Sequence, residues 1–303
     1  MRTKLAPPRR QKYTLPRPRL TQRLLDAQHH RLTILQAGTG YGKSTAVTAL
    51  ADEPFTSVWY RLDAEDADPQ LFLLHLVHGF RAALPEMTDA PLAMLEGWDS
   101  VTDSGWMAVV DALINELERI LPASTFLILD DVHLLNDAAA PMRILDRLIG
   151  LAPHHLHILL SSRYPLQLPT MLNWRVKGEV LEIDQDELAF TPTEIDALFR
   201  QQYDYALTLE QATLLVNRIE GWPIALHLIW QRLQRDGGAA LPQALSQLSG
   251  SAGDLFAYLT REVLAQQEPD IQQFLRETAV LRQMNASGCD AIRSATDSAE
   301  ILR

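Results

Sequence analysis

Short apolar runs punctuate the first two thirds of the chain at intervals filled by amphipathic stretches. Leu32–Gln36, Ser57–Leu62, Thr125–Asp130, His157–Ser161 and Val180–Ile183 each read as a strand. Between them Pro69–Leu84 places Leu73, Leu76, Val77, Phe80 and Leu84 at helical spacing, and Trp106–Ile120 and Pro141–Leu151 follow the same period. Leu20–Ala27 reads as a short helix leading into the first strand, and Ser44–Ala51 as a helix leaving it. The unbroken apolar character of Thr125–Leu129 predicts burial on both faces. Strands alternating with helices predict an α/β domain built on a parallel sheet with helices on both sides.

Past about residue 190 the period is helical alone. Thr191-Pro-Thr-Glu194 reads as a capping box with Pro192 at the first helical position. Helices are then expected over Thr208–Ile219, Trp222–Arg235, Asp254–Ala265 and Ile271–Val280, with a Gly- and Ser-rich linker between Gly237 and Gly253. At the other end, Pro7, Pro8, Pro16 and Pro18 interrupt a run of Arg and Lys, so residues 1–19 are expected to form an extended basic arm. The expected units are therefore the arm at 1–19, an α/β domain at 20–189, a small all-α domain at 190–236, a linker at 237–250 and a final domain at 251–303.

Composition narrows the classes. With 303 residues the chain is too long for one minimal core, and its 47% hydrophobic and 21% charged content is that of an ordinary globular protein. A net charge of −11 argues against a dominant nucleic-acid surface. The single cysteine, Cys289, excludes an intrachain disulfide and any multi-cysteine metal site, which suits a reducing, cytoplasmic setting. No apolar run approaches the roughly 18–20 residues of a membrane span. The histidines carry little: His154, His155 and His157 straddle a loop and a strand without acidic partners, and His75 and His78 are expected on a solvated helix face.

The chemistry sits between the first strand and its helix. Ala37-Gly-Thr-Gly-Tyr-Gly-Lys-Ser-Thr45 places backbone N–H groups and a helix N-terminus around one point, as a phosphate cradle requires. Gly38, Gly40 and Gly42 let the backbone curl, flanking Thr39 and Tyr41. Lys43 can reach the β- and γ-phosphates of a nucleotide, and the Ser44 hydroxyl, followed by Thr45, can bind Mg²⁺. Ala37 departs from the strict pattern G-x-x-x-x-G-K-[ST], a small change if its φ is negative. Such a loop needs a carboxylate from another strand. Asp130 is the candidate metal ligand, directly or through water, and Asp131 the candidate to orient or activate the attacking water, although it has less reach than a glutamate. A strand-ending turn with solvated acids is the bland alternative. Arg163, at the end of the fourth strand, would sense the terminal phosphate if that strand lies between the first and third; otherwise it is an exposed loop arginine.

The chain resembles the signal-transduction ATPases with numerous domains (STAND), in the MalT-like branch of LuxR-type regulators. Carrying segments are Lys4-Leu5 through Arg17-Pro-Arg-Leu20, Ala37–Thr45, Trp59–Asp63 with Asp66–Pro69, Leu127–His133 and Ser162-Arg163. Leu188–Phe190 with Thr193-Glu194, Glu220–Leu226, Glu262–Leu264 and Phe274-Leu275 complete them, Gly221-Trp222-Pro223 resembling the family's specific G-x-P motif. The resemblance implies a nucleotide-binding domain, a helical domain and a winged-helix domain, the last barely completed or cut short at Arg303. These would close over ATP or ADP as a switch with slow hydrolysis. It assigns Pro223 to one side of the adenine and Arg19, or its neighbours in the arm, to the other. It also implies a downstream helical-repeat sensor and an effector, neither visible in this sequence, and self-association governed by nucleotide. Specific DNA binding by this segment and membrane insertion are not expected. The alternative is a non-hydrolysing, ADP-loaded interaction scaffold, which the intact Lys43, Ser44 and Asp130 disfavour.

Overall fold

The computed structural model describes residues 3–8, 14–97, 104–121, 124–227, 230, 268–281 and 284–302. The expected linker at 237–250, the helix at 254–265, the end of the helix running to Arg235, Trp98 and the arm residues Arg2, Arg9, Arg10 and Lys12 lie outside the described residues. The chain divides into two units, Met1–Leu209 and Glu210–Arg303.

In the first unit β1 (Leu32–Gln36), β2 (Thr56–Arg61), β3 (Thr125–Asp130), β4 (Leu156–Ser162) and β5 (Val180–Ile183) form one parallel sheet in the order β2-β3-β4-β1-β5. Every residue of β3 and β4 is buried, as befits central strands covered on both faces. β5 exposes Glu182 between buried Leu181 and Ile183, the alternation of an edge strand with one face toward water. Period-two alternation divides the core. Leu127 and Leu129 join Ile158 and Leu160 in a cluster with Phe72, Leu76 and Phe80 of α3 (Pro69–Ala83), Val110 and Leu113 of α5 (Ser104–Ile120), and Leu145 of α6 (Ala139–Leu151). The intervening Phe126, Ile128, Leu159 and Leu35 are buried as well and point to the opposite face.

α1 (Pro18–Leu25) uses Pro18 in its first turn, where the missing N–H costs nothing. α9 (Pro192–Tyr203) begins with the expected capping box: Thr191 Oγ1 accepts from the Glu194 N–H, and the Glu194 carboxylate accepts from the Thr191 N–H. Three short helices in this unit escaped the periodicity argument, α4 (Ala90–Glu96), α7 (Met171–Val176) and α8 (Gln185–Leu188), because fewer than two turns give the period nothing to repeat. One expectation is overturned. His75 does not lie on a solvated face; it is buried, with Nδ1 2.9 Å from Asp66 Oδ1 and 3.3 Å from the Tyr60 hydroxyl. Helical spacing puts His75 on the buried face of α3 with Phe72, Leu76 and Gly79, and the Asp66 carboxylate and Tyr60 hydroxyl make its burial tolerable.

In the second unit α10 (Leu209–Ile219) ends where Glu220 and Gly221 both take left-handed φ, of 52° and 64°. The Trp222 carbonyl then accepts from the Ala225 N–H at 3.1 Å, so Pro223 opens a new helical turn. Further on, helices cover Pro269–Thr278, Ala286–Arg293 and Ser298–Ile301. Arg293 stacks its guanidinium over buried Phe274 and pairs with Glu277 and Asp297. Among the described residues no helix is long and apolar enough to cross a membrane.

Candidate nucleotide site

The loop after β1 curls as glycine allows. Gly40 and Gly42 sit at φ 79° and 78°, values an L side chain resists, and Gly42 caps α2 (Lys43–Val47). The turn continues as a 3₁₀ segment to Asp52. Ala37 is buried and is not among the residues with positive φ, so its methyl group fits where a stricter loop has glycine. Its N–H donates to the Ser162 carbonyl at 3.2 Å, pinning the loop to the end of β4.

Lys43 is buried and folds back, its Nζ donating to the carbonyls of Ala37 at 2.7 Å and Gly38 at 3.0 Å. Burial pulls its pKa below the ordinary lysine value; Asp131 and Asp130 push the other way and Arg163 adds to the depression. Ser44 Oγ donates to Asp130 Oδ2 at 2.7 Å, joining loop and strand end. The other oxygen of Asp130 accepts a short hydrogen bond from the Ser161 hydroxyl, and Ser161 Oγ in turn accepts from the Asp131 N–H at 3.1 Å. β4 does lie between β1 and β3, which is what brings Ser161 and Arg163 to this point. Arg163 Nε stands 3.9 Å from Asp131 Oδ1.

Asp131 adopts φ 63°, a left-handed turn that Asp tolerates better than most side chains. Its carboxylate also faces Arg61 Nε at 3.8 Å and His133 Nδ1 at 3.9 Å. Among the described residues no three His, Cys, Asp or Glu side chains form a metal cage. Ser44 and Asp130 instead present the sparse donor set that Mg²⁺ uses when phosphate oxygens and water complete its shell. The residues present thus fit a nucleotide with its Mg²⁺.

The two residues expected at the base each have a local setting of their own. Arg19 is committed to the Glu187 carbonyl at 2.9 Å, the Ala189 carbonyl at 3.2 Å and the Glu194 carboxylate. Arg17 makes the firmer clamp, bonding the Leu188 and Ala189 carbonyls and Glu194 while covering the Phe190 ring at 4.3 Å. This segment reaches the loop through Gln185, whose Oε1 accepts from the Gly38 N–H at 3.4 Å. Pro223 belongs to the second unit and is half-buried there. Ser161, His133, Gln185 and Arg61 were not singled out as site residues. Ser161 leaves a signal, a hydroxyl at the carboxyl end of a largely apolar strand; Arg61 and His133 lie inside segments that carry the family resemblance, and Gln185 depends on chain segments that meet only in the fold.

A glycine loop after β1, a carboxylate ending β3 and the order β2-β3-β4-β1-β5 define a P-loop NTPase domain. Residues 260–303 match the family described as the MalT winged helix domain. The HTH-type transcriptional regulator MalT of Cronobacter sakazakii is 32% identical over 289 residues, covering 93% of this chain and 31% of that protein. The regulator of the same name from Yersinia enterocolitica is 30% identical over 287 residues, with the same coverage of 93% and 31%. The chain is thus MalT-like over 93% of its own length, with a MalT-type winged-helix match at its end, and spans about a third of the length of these relatives. Among solved structures a Walker-type ATPase of Pyrococcus abyssi is similar at a TM-score of 0.44 and 14% identity, over 91% of this chain and 82% of that one.

Proposed function

We propose that this chain is the nucleotide-driven switch region of a MalT-like transcriptional regulator. The observation that carries the reading is the 2.7 Å bond from Ser44 Oγ to Asp130 Oδ2, which unites a phosphate loop and a strand-end carboxylate in one site. Bound ATP or ADP would supply a polyphosphate and, with water, the remaining oxygen donors that Mg²⁺ needs. The N–H groups from Gly38 to Thr45, with Thr39, Gly40, Tyr41 and Gly42 between them, hold that polyphosphate; Lys43 leaves the loop carbonyls to neutralise it. Ser44 and Asp130 would hold the metal, and Arg163 would contact the terminal phosphate. Asp131 would orient a water for slow hydrolysis of ATP, in which the water oxygen bonds to the terminal phosphorus as the bond to the bridging oxygen breaks, ADP leaves, and the water's proton passes to the phosphate released.

Arg19 and Pro223 are retained as base contacts on the strength of the family resemblance. The working division into arm 1–19, nucleotide-binding domain 20–189, helical domain 190–236, linker 237–250 and winged-helix domain 251–303 belongs to the same proposal. So do a cytoplasmic location, downstream sensor and effector domains, nucleotide-governed self-association and the lack of specific DNA binding by this segment. A switch requires that one nucleotide prefer one arrangement of the domains, and several kcal/mol of preference, about 5.5 for a 1:99 to 99:1 reversal, drives it fully.

Purified protein denatured and run on an anion-exchange column should release ADP or ATP. A site that is empty and binds neither nucleotide in a titration overturns the proposal. Bound ADP that never exchanges for ATP would replace the switch with the ADP-loaded scaffold.

A further inference from the structure

Three nitrogen donors from three segments converge on the Asp131 carboxylate without reaching hydrogen-bond distance. Arg61, ending β2, lies 3.8 Å from Oδ2; Arg163, following β4, and His133 Nδ1 each lie 3.9 Å from Oδ1. They differ in freedom. The side chains of Arg61 and Arg163 are 70% and 43% exposed and can swing toward another anion, whereas that of His133 is 7% exposed.

His133 is held by its surroundings. It sits in the 3₁₀ turn Val132–Leu135, closed by the Leu134 N–H on the Asp131 carbonyl at 3.1 Å. Its ring meets Tyr164 edge-on, with centroids 5.7 Å apart and planes at 73°. Nδ1 is buried and has no hydrogen-bond partner, an exception that folded proteins seldom leave without a use. Burial lowers the pKa of the ring; Asp131 and Asp130 raise it, and Arg163 and Lys43 lower it further. A neutral imidazole carries one N–H, and the nearest acceptor decides which nitrogen bears it. Asp131 Oδ1 faces Nδ1.

We propose that His133 is a positioning residue for Asp131: its Nδ1–H closes on the Asp131 carboxylate and fixes that carboxylate in one orientation beside the phosphate loop. Arg61 and Arg163 are then left for the incoming phosphates. The inference rests on the reading of this pocket as a nucleotide site, and assigns His133 a role that Asp131 cannot fill alone.

Nitrogen-15 NMR of the histidine-labelled chain tests the pairing without nucleotide, the His133 signals being identified by their loss in His133→Asn. Wild type should show the Nδ1–H tautomer, and Asp131→Ala should return His133 to the Nε2–H form usual in water. An Nε2–H ring in wild type, or a tautomer unmoved by Asp131→Ala, overturns the proposal. With ATP and Mg²⁺, His133→Phe keeps a ring against Tyr164 but no donor; turnover should fall about tenfold with ATP and ADP affinities unchanged. His133→Asn, whose amide nitrogen can take the place of Nδ1, should keep most of the rate. Equal losses in both variants, at wild-type melting temperatures, or no loss in either, count against it. If wild type binds no nucleotide, the reading of the site has failed, while the tautomer still decides the pairing.

Discussion

Two polar clusters occupy the carboxyl ends of neighbouring strands, and they are finished differently. Beyond the end of β2, Asp66 is fully buried and saturated: it accepts from the Asp63 N–H at 2.8 Å, from Lys4 Nζ at 3.0 and 3.2 Å, and faces His75 Nδ1 at 2.9 Å. Lys4 also pairs with Asp63 at 2.6 Å, and its carbonyl accepts the Arg61 N–H at 2.8 Å, so the beginning of the chain is fastened to the outer edge of the sheet. Burial opposes the charge on Asp66, yet the hydrogen bonds from Asp63, Tyr60, Lys4 and His75 outweigh it and hold the carboxyl below its usual range. At the end of β3, Asp131 has three donors at 3.8–3.9 Å and His133 Nδ1 has no partner. The saturated cluster has no capacity left for a ligand and serves structure. The unsaturated one keeps charges and donors uncommitted, at a cost to the folded state, and that is the condition for recognising something that arrives later.

Mutations should separate the two. Asp66→Ala leaves Lys4 with Asp63 alone and His75 with the Tyr60 hydroxyl alone, and frees the Asp63 N–H, and is expected to cost about 3 kcal/mol in chemical denaturation. The same residue gives a pH signature. Its folded pKa lies below the ordinary 3.8, so its stabilisation is fully present above that value and is lost as pH falls through the lower folded value. Melting curves taken from about pH 5 down to about pH 2 should show a steeper acid loss in wild type than in Asp66→Asn. Parallel curves would deny the cluster its structural role.

Lys43→Ala should weaken nucleotide binding about 100-fold or more, roughly 2.7 kcal/mol, because it removes the cation that the loop delivers to the phosphates. Fluorescent-nucleotide titration reads this directly, and unchanged affinity would take Lys43 out of the site. A smaller effect is expected outside both clusters. Pro223→Ala should loosen ADP by about tenfold or less, roughly 1.4 kcal/mol, in calorimetry on protein whose melting curve is normal. Wild-type affinity there would mean that the base is held by other residues.

The smallest effect completes the contrast. Asp131→Asn removes the charge of a carboxylate that makes no hydrogen bond in the structure while keeping a side chain that tolerates the left-handed turn, and should change stability by no more than about 0.5 kcal/mol. A loss comparable with that of Asp66→Ala would show that the two clusters do the same work.

Much of this was written in the chain itself. The runs Leu32–Gln36, Thr125–Asp130 and Val180–Ile183 coincide with β1, β3 and β5, because a central or half-covered strand must be apolar wherever it meets helices. Capping at Thr191 and Glu194, the proline start at Pro223 and the glycine turn at Gly40 and Gly42 are local constraints that neighbouring residues satisfy alone. Lys43, Ser44 and Asp130 were legible for a related reason, since loop and strand end each carry a distinctive local pattern. Partnership was not legible. Nothing local says that Ser161 bridges Asp130 and Asp131, that Gln185 meets Gly38, or that His75 is buried against Asp66 while His133 keeps a bare nitrogen. The first two follow from the strand order, which sets β4 beside β3 and β5 beside β1; the two histidines depend on how the turns after β2 and β3 pack. Pattern and propensity act over a few residues; saturation of a buried polar group depends on everything that folds around it.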